Sequence, residues 1–442
     1  MCSDLVYINM KEDVNVNILM LSGDGVVTYE SLIVLGAIVL LGLFMGKIVE
    51  KVRIPYITGY ILAGLLLGGI LVALNFEDLM INLEVISSVA LGFIAYGIGR
   101  ELVFSKLRHT GAEIIVITIA QAALTTAVVS IGLLLLGVSL PVALIFGAIA
   151  TATEPASIML LTKKMKTKGP LTDTLIPLVG LDDAVGIIIF GVLLSVAKAL
   201  EKGVQLSFFE TIADPFFELV FSLLVGIVFG VIVAMIIKKS DKKSDDKYEV
   251  FLVASVFGVF LTVAVAKLGI HFGDISVHLS PILTPMVLGV TVTNIITRVN
   301  AHDTELAVDK FIPPILIAFF TIAGAELVIA FLGQTDIAYG AMIVVTSGYI
   351  GLRIFGKIFG SYLGARVMKS VPVIRKYLGV SLLPQAGVAL GMAYQARTDF
   401  PSEGVTILIV ILIATLFYAF IGPIGVKYAL GKSGESRVTE SR

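Results

Sequence analysis

Leu178-Val179-Gly180-Leu181-Asp182-Asp183-Ala184-Val185-Gly186-Ile187 sets two carboxylates side by side within a largely apolar segment, 171–197. A charge at the centre of a lipid-facing helix costs roughly 3 kcal/mol or more, so such residues face a cavity or a partner. Neighbours on a helix point about 100° apart. The two aspartates therefore have different jobs: one faces the cavity and the other a partner within the protein.

Outward from this pair the chain keeps the same character. Of 442 residues, 57% are hydrophobic and 15% charged, against roughly 25% charged in soluble domains. Apolar runs able to cross a hydrocarbon layer of about 30 Å recur throughout, which predicts an all-α polytopic membrane protein and excludes a soluble enzyme. Thirteen spans are expected near 28–49, 54–74, 83–104, 113–136, 140–162, 171–197, 215–237, 248–268, 280–297, 310–332, 339–365, 377–396 and 404–427. An odd number places the termini on opposite sides. Lysine and arginine then collect on one side, as in Lys163, Lys164, Lys166 and Lys168, or Lys238, Lys239, Lys242, Lys243 and Lys247. Opposite loops carry only Lys11, Lys198, Lys202, Lys267 and Arg397. Cytoplasmic loops hold the cations, so the N terminus is expected outside and the C terminus inside a multi-pass cell-membrane protein. The organisation read from this is an extracellular segment over 1–27, a transmembrane domain over 28–427 and a cytoplasmic tail over 428–442.

Other classes find little support. The net charge of −1 offers nothing to nucleic acid, and Cys2, the one cysteine, leaves no intrachain disulfide or cysteine metal cluster. His109, His271, His278 and His302 have no metal-ligand spacing, and no cofactor is expected. Residues 1–30 lack the basic start, apolar core and small-residue site of a cleavable signal, so the first span is expected to serve as its own insertion signal.

Two further features belong at membrane depth. Span eleven carries Arg353 and Lys357, four residues apart on one helix face, with Gly356 and Gly360 allowing close helix contact. Such cations need counter-charges, and Asp182, Asp183 and Glu154 are the available acids. Spans five and twelve contain Thr151-Ala152-Thr153-Glu154-Pro155 and Ser381-Leu382-Leu383-Pro384-Gln385-Ala386-Gly387, polar stretches with a proline that interrupts a helix. Irregular backbone at that depth is tolerated when buried in protein or lining a watery cavity. These spans lie seven apart, as do Tyr96-Gly97-Ile98-Gly99-Arg100-Glu101-Leu102 and Thr321-Ile322-Ala323-Gly324-Ala325-Glu326-Leu327. Spans seven apart run in opposite directions, so the chain reads as an inverted repeat whose two broken helices cross and aim their end dipoles at one ion site.

These residues together resemble the monovalent cation/proton antiporter superfamily, in its paired-aspartate branch, over nearly the whole chain. Ile54 to Gly64 matches the family's opening pattern, Asp182-Asp183 its aspartate pair, and Gly356-Lys357 the glycine-lysine of its buried-lysine span. Thr153-Glu154-Pro155 stands where the family usually has threonine followed by aspartate, so Glu154 is a departure. The resemblance implies the sodium/proton antiporter fold, with a mobile core carrying the crossed helices and a second bundle mediating a homodimer.

The chemistry expected is secondary active exchange of a monovalent cation, Na+ first and then Li+, for protons. A carboxylate in a low-dielectric cavity can hold either a proton or a desolvated cation, and oxygen donors suit a hard cation. Asp183, Thr153 and one of Asp182 or Glu154 are the expected donors. Lys357 is expected to partner Asp182 and release its own proton when that pair breaks, making exchange electrogenic, and Arg353 to be a static counter-ion. Pro155, Pro384, Gln385 and Gly387 form the broken-helix backbone. The alternatives are a K+/H+ antiporter and a passive cation channel. An intramembrane aspartyl protease fits poorly, because adjacent aspartates cannot readily share one proton.

Overall fold

The computed structural model describes residues 29–51, 56–74, 76, 80, 83–105, 111–201, 208–240, 247–272, 275–277, 279–333, 339–400 and 403–436. The expected extracellular segment 1–27, and with it Cys2 and Lys11, lies outside the described residues, as do Ile54, Pro55, His109, Lys202, Lys242, Lys243 and His278. Among the described residues there are fifteen helices: α1 (Tyr29–Lys51), α2 (Tyr56–Ala73), α3 (Glu84–Glu101), α4 (Gly111–Leu135), α5 (Leu140–Ile149), α6 (Pro155–Lys164), α7 (Pro170–Glu201) and α8 (Phe208–Ser240). The chain continues through α9 (Lys247–Leu268), α10 (Leu283–Ile295), α11 (Arg298–Gly333), α12 (Tyr339–Val367), α13 (Pro372–Ser381), α14 (Gly387–Asp399) and α15 (Gly404–Lys432). A short antiparallel ribbon, β1 (Ile270–Phe272) with β2 (Ile275–Val277), links α9 to α10 and adds a hairpin to the helical chain.

Each expected span coincides with one helix, except that the fifth is split into α5 and α6 and the twelfth into α13 and α14. Nine of the described helices are long and apolar enough to cross a membrane by length and composition. Four boundaries differ from expectation by five residues or more, two of them the starts of α8 at Phe208 rather than 215 and of α13 at Pro372 rather than 377. Helix α11 begins at Arg298 rather than near 310, because its polar first turns run past the apolar segment and are held by ion pairs, Lys247 to Asp303 and Arg100 to Asp309, each at 2.8 Å. Helix α15 continues to Lys432, past the expected end at 427.

The inverted repeat is visible in the packing. Helix α2 lies along α11, and α10 lies along α3, the corresponding pairing in the other half. The two similar heptapeptides sit at these contacts. A Cβ at Gly99 would run into the Met286 carbonyl oxygen, and one at Gly324 into the Ile61 carbonyl oxygen, so equivalent glycines let equivalent helix pairs approach backbone to backbone. Helix α4 packs along α12, its own counterpart in the repeat, and the largest buried apolar cluster gathers α5, α7, α14 and α15 around the two breaks.

The chain's end returns to the aspartate helix. Glu435, buried, accepts hydrogen bonds from the Leu171 and Thr172 amides at 2.6 and 2.9 Å and from the Thr172 hydroxyl at 2.7 Å. It thus satisfies open N–H groups at the start of α7 from more than 260 residues away. The Glu435→Ala variant is expected to lose about 1–3 kcal/mol, the cost of leaving buried amides unpaired. A melting temperature equal to the parent's, measured in detergent, would contradict this cap.

Candidate ion-exchange site

The two breaks meet. Helix α5 ends at Ile149 and α6 begins at Pro155, while α13 ends at Ser381 and α14 begins at Gly387. The Glu154 amide donates to the Pro384 carbonyl at 3.0 Å, joining one break to the other. The prolines explain why each chain segment unwinds here: Pro155, with no N–H to give, occupies the first helical position of α6, and Pro384 lies inside the second break. Gln385 stitches the crossing further, donating to the Ile149 carbonyl at 3.2 Å and to the Tyr349 hydroxyl at 2.9 Å.

A crossing of this kind leaves orphan carbonyls where α5 and α13 stop. Arg353, with no exposure, answers them. Its Nε donates to the Ala150 carbonyl at 3.0 Å, Nη1 to Leu383 at 2.8 Å, and Nη2 to Ala152 at 2.7 Å and Pro384 at 3.4 Å. The guanidinium also stacks on the Tyr418 ring, 4.3 Å from its centroid. The expected counter-ion role for Arg353 is corrected by this geometry. Among the described residues it has no ion pair with a carboxylate, because its planar fork matches backbone carbonyls from both breaks.

Lys357 lies one turn further along α12, also fully buried, and its three donors are all used. Nζ donates to the Asp182 carboxylate at 2.8 Å, to the Thr153 hydroxyl at 2.8 Å and to the Thr151 carbonyl. Asp182 is saturated in turn: Oδ2 accepts from Lys357 and from the Thr153 hydroxyl at 2.5 Å, and Oδ1 accepts from the Gln121 side chain. Gln121 reaches the carboxylate because α4 packs directly against α7, the helix that carries Asp182. Removing the acid strands a buried cation, which typically costs 3–5 kcal/mol. The Asp182→Asn variant is therefore expected to lose thermal stability and exchange together; a variant melting with the parent would mean that Lys357 is held elsewhere.

Asp183 points the other way. It lines a cavity of about 1020 Å³ together with Thr153, Glu154, Glu101, Tyr56 and Phe320. Its carboxylate accepts the Thr153 amide at 3.3 Å, so the first break offers it a backbone donor. Glu154 lines the same cavity and accepts the Ser157 hydroxyl at 2.5 Å. Exposed His302 and Glu305 also line the cavity. On the opposite side of the crossing, Glu326 pairs with Arg397 and accepts the Tyr394 hydroxyl at 2.9 Å, and Lys198 pairs with Asp399 at 2.9 Å.

The expected site residues are thus brought together, but divided. Asp183 and Glu154 face the cavity, whereas Asp182, expected as an alternative cation donor, is enclosed. The Thr153 hydroxyl, also an expected donor, bridges Asp182 and Lys357. Gln121 and Tyr418 were missed by sequence reading; an isolated glutamine in the apolar α4 was the available signal for the first. Among the described residues no group of three or more His, Cys, Asp or Glu is arranged to hold a metal ion.

A family model described as the sodium/hydrogen exchanger, transmembrane, matches residues 36–432. Two solved structures of the sodium proton antiporter MjNhaP1 from Methanocaldococcus jannaschii are similar in fold. One, at pH 8, has a TM-score of 0.69 at 20% identity and covers 91% of this chain and 98% of its own. The other, an electron-microscopy map, has a TM-score of 0.68 at 19% identity and covers 93% of this chain and 99% of its own. No curated protein matches the chain.

Proposed function

The chain belongs to the transmembrane sodium/hydrogen exchanger family, a family of cation/proton antiporters, and from this premise we propose that it exchanges Na+ for protons electrogenically. The observation that carries the reading is the division of the aspartate pair: Asp183 faces the cavity with Glu154, while Asp182 is locked to Lys357. Asp183 holds a proton or a desolvated cation in turn. The carboxylate oxygens of Asp183 and Glu154, which line the cavity, suit Na+ or Li+, hard monovalent cations, and Asp182 joins them only in the step that frees it from Lys357.

Alternating access follows from the crossing. The core, α4–α7 with α12–α15, moves against the bundle of α1–α3 and α8–α11, which also forms the homodimer. With the N terminus outside, the cavity opens to the cytoplasm, and the Glu326–Arg397 and Lys198–Asp399 pairs close the outer side. A cavity that ends at the crossing supports an exchanger over a passive channel. In purified proteoliposomes an imposed pH gradient should collapse on adding Na+ or Li+ and persist in choline. Collapse without any added cation would sink the exchanger reading, and collapse with K+ alone would reassign the cation.

The second proton comes from Lys357. When Na+ draws Asp182 toward the site, the desolvated ammonium loses its counter-charge and releases a proton, giving two protons for one Na+. One net charge then crosses per cycle, and the membrane potential drives transport by about 2.3 kcal/mol per 100 mV. Clamping the potential with potassium and valinomycin should change the rate in the parent, and Lys357→Gln should make the residual exchange electroneutral. An active Lys357→Gln variant that still follows voltage would make the lysine structural.

A further inference from the structure

Helix α12 carries the buried Arg353 and Lys357 on one face, and its other face is open. Phe355 and Phe359, one turn apart on that face, stack nearly parallel, with ring centroids 5.4 Å apart and planes 9° from each other. With Ile358 and Tyr362 they floor a groove of about 500 Å³, and Arg375 and Lys376, from α13, stand at its rim. The Arg375 Nε donates to the Ser370 carbonyl at 2.7 Å, which holds its guanidinium in place. Arg366 lies in the last turn of α12 and Lys369 in the connection to α13, and none of the four cations is in an ion pair among the described residues. No aspartate or glutamate occurs between Asp336 and Asp399.

We propose that this groove on α12 and α13 binds an anionic phospholipid, its acyl chain laid along Phe355, Ile358 and Phe359 and its phosphate held between Arg375 and Lys376. A flat aromatic wall suits a methylene chain, and an arginine fork with an adjacent ammonium suits a phosphate that must also meet water. Cations on this side of a membrane protein are common, attracted to anionic headgroups one by one. This groove differs in joining two unpaired cations to an apolar slot that runs down the helix bearing Lys357. The bound lipid would pack against α12 opposite the exchange site and fix the position of that helix.

The chain has no tryptophan, so the Phe359→Trp variant carries a single reporter in the groove. In bilayers of phosphatidylcholine, dibrominated phosphatidylglycerol should quench it at about one third the mole fraction needed for dibrominated phosphatidylcholine. Adding Arg375→Gln and Lys376→Gln should bring that ratio to one, whereas adding Lys238→Gln and Lys239→Gln at the end of α8 should leave it. A Phe257→Trp reporter on the exposed face of α9 should give a ratio near one throughout. Equal quenching by the two lipids in the Phe359→Trp variant, a preference that survives loss of both groove cations, or an equal preference at Phe257 would each overturn the site. These readouts do not depend on ion transport, so they stand apart from the exchange mechanism.

Discussion

Asp183→Asn protein, purified and reconstituted, moves no protons when Na+ is added, yet it melts close to the parent. The effect on exchange is expected to be complete, because asparagine can neither give up a proton nor neutralise a cation. Stability is expected to hold because, among the described residues, Asp183 has no ion pair: its contacts are the cavity and one amide at 3.3 Å, and an amide oxygen can still accept that hydrogen bond. This separates it from Asp182, whose carboxylate is matched by three donors including a buried ammonium. Asp183→Asn protein that exchanges at even a tenth of the parental rate would remove Asp183 from the transport step.

The second large effect is on the fold. Arg353→Met leaves three backbone carbonyls, those of Ala150, Ala152 and Leu383, drawn from both broken helices, without their donor, while the Pro384 carbonyl keeps the Glu154 amide. Each buried acceptor left unpaired costs about 1–3 kcal/mol, so the total is roughly 3–9 kcal/mol. That is comparable to the whole stability of many domains. The variant is therefore expected to aggregate on extraction, and Arg353→Lys, with a point charge in place of a fork, to fold with a markedly lower melting temperature. Tyr418→Phe, which keeps the ring beneath the guanidinium, should be milder than either; it loses only a hydroxyl that donates to the Ile350 carbonyl at 2.8 Å. A stable Arg353→Met protein would show that the crossing holds itself together without the clamp.

Much of this arrangement was legible in the sequence because membrane burial makes irregularities expensive. Two prolines in polar stretches announced the breaks, and an aspartate pair in an apolar run announced the site. Gly99 and Gly324, seven spans apart in similar heptapeptides, announced the repeat, and the structure gives them equivalent contacts. What stayed hidden has physical reasons. The 100° step between Asp182 and Asp183 says that they diverge, not which one faces the cavity. Arg353 was assigned an acid because sequence reading counts side-chain charges, whereas its partners are main-chain carbonyls at helix ends. Gln121 carries no charge and raised no alarm in α4. Glu435 acts through contacts spanning more than 260 residues, which no local pattern contains. The early start of α11 escaped because its first turns are polar and helical together.

The central claim is that proton and cation compete for Asp183. It is tested most directly by calorimetric titration of the purified protein with Na+ across a range of pH, in buffers of differing ionisation enthalpy that count the protons released. Competition at one carboxylate predicts release of at least one proton per Na+ bound, and an apparent Kd that weakens about tenfold for each unit of acidification below the site's own pKa, or 1.4 kcal/mol per unit. Asp183→Asn should abolish both. An affinity for Na+ that is indifferent to pH, or proton release that persists in Asp183→Asn, would contradict the account.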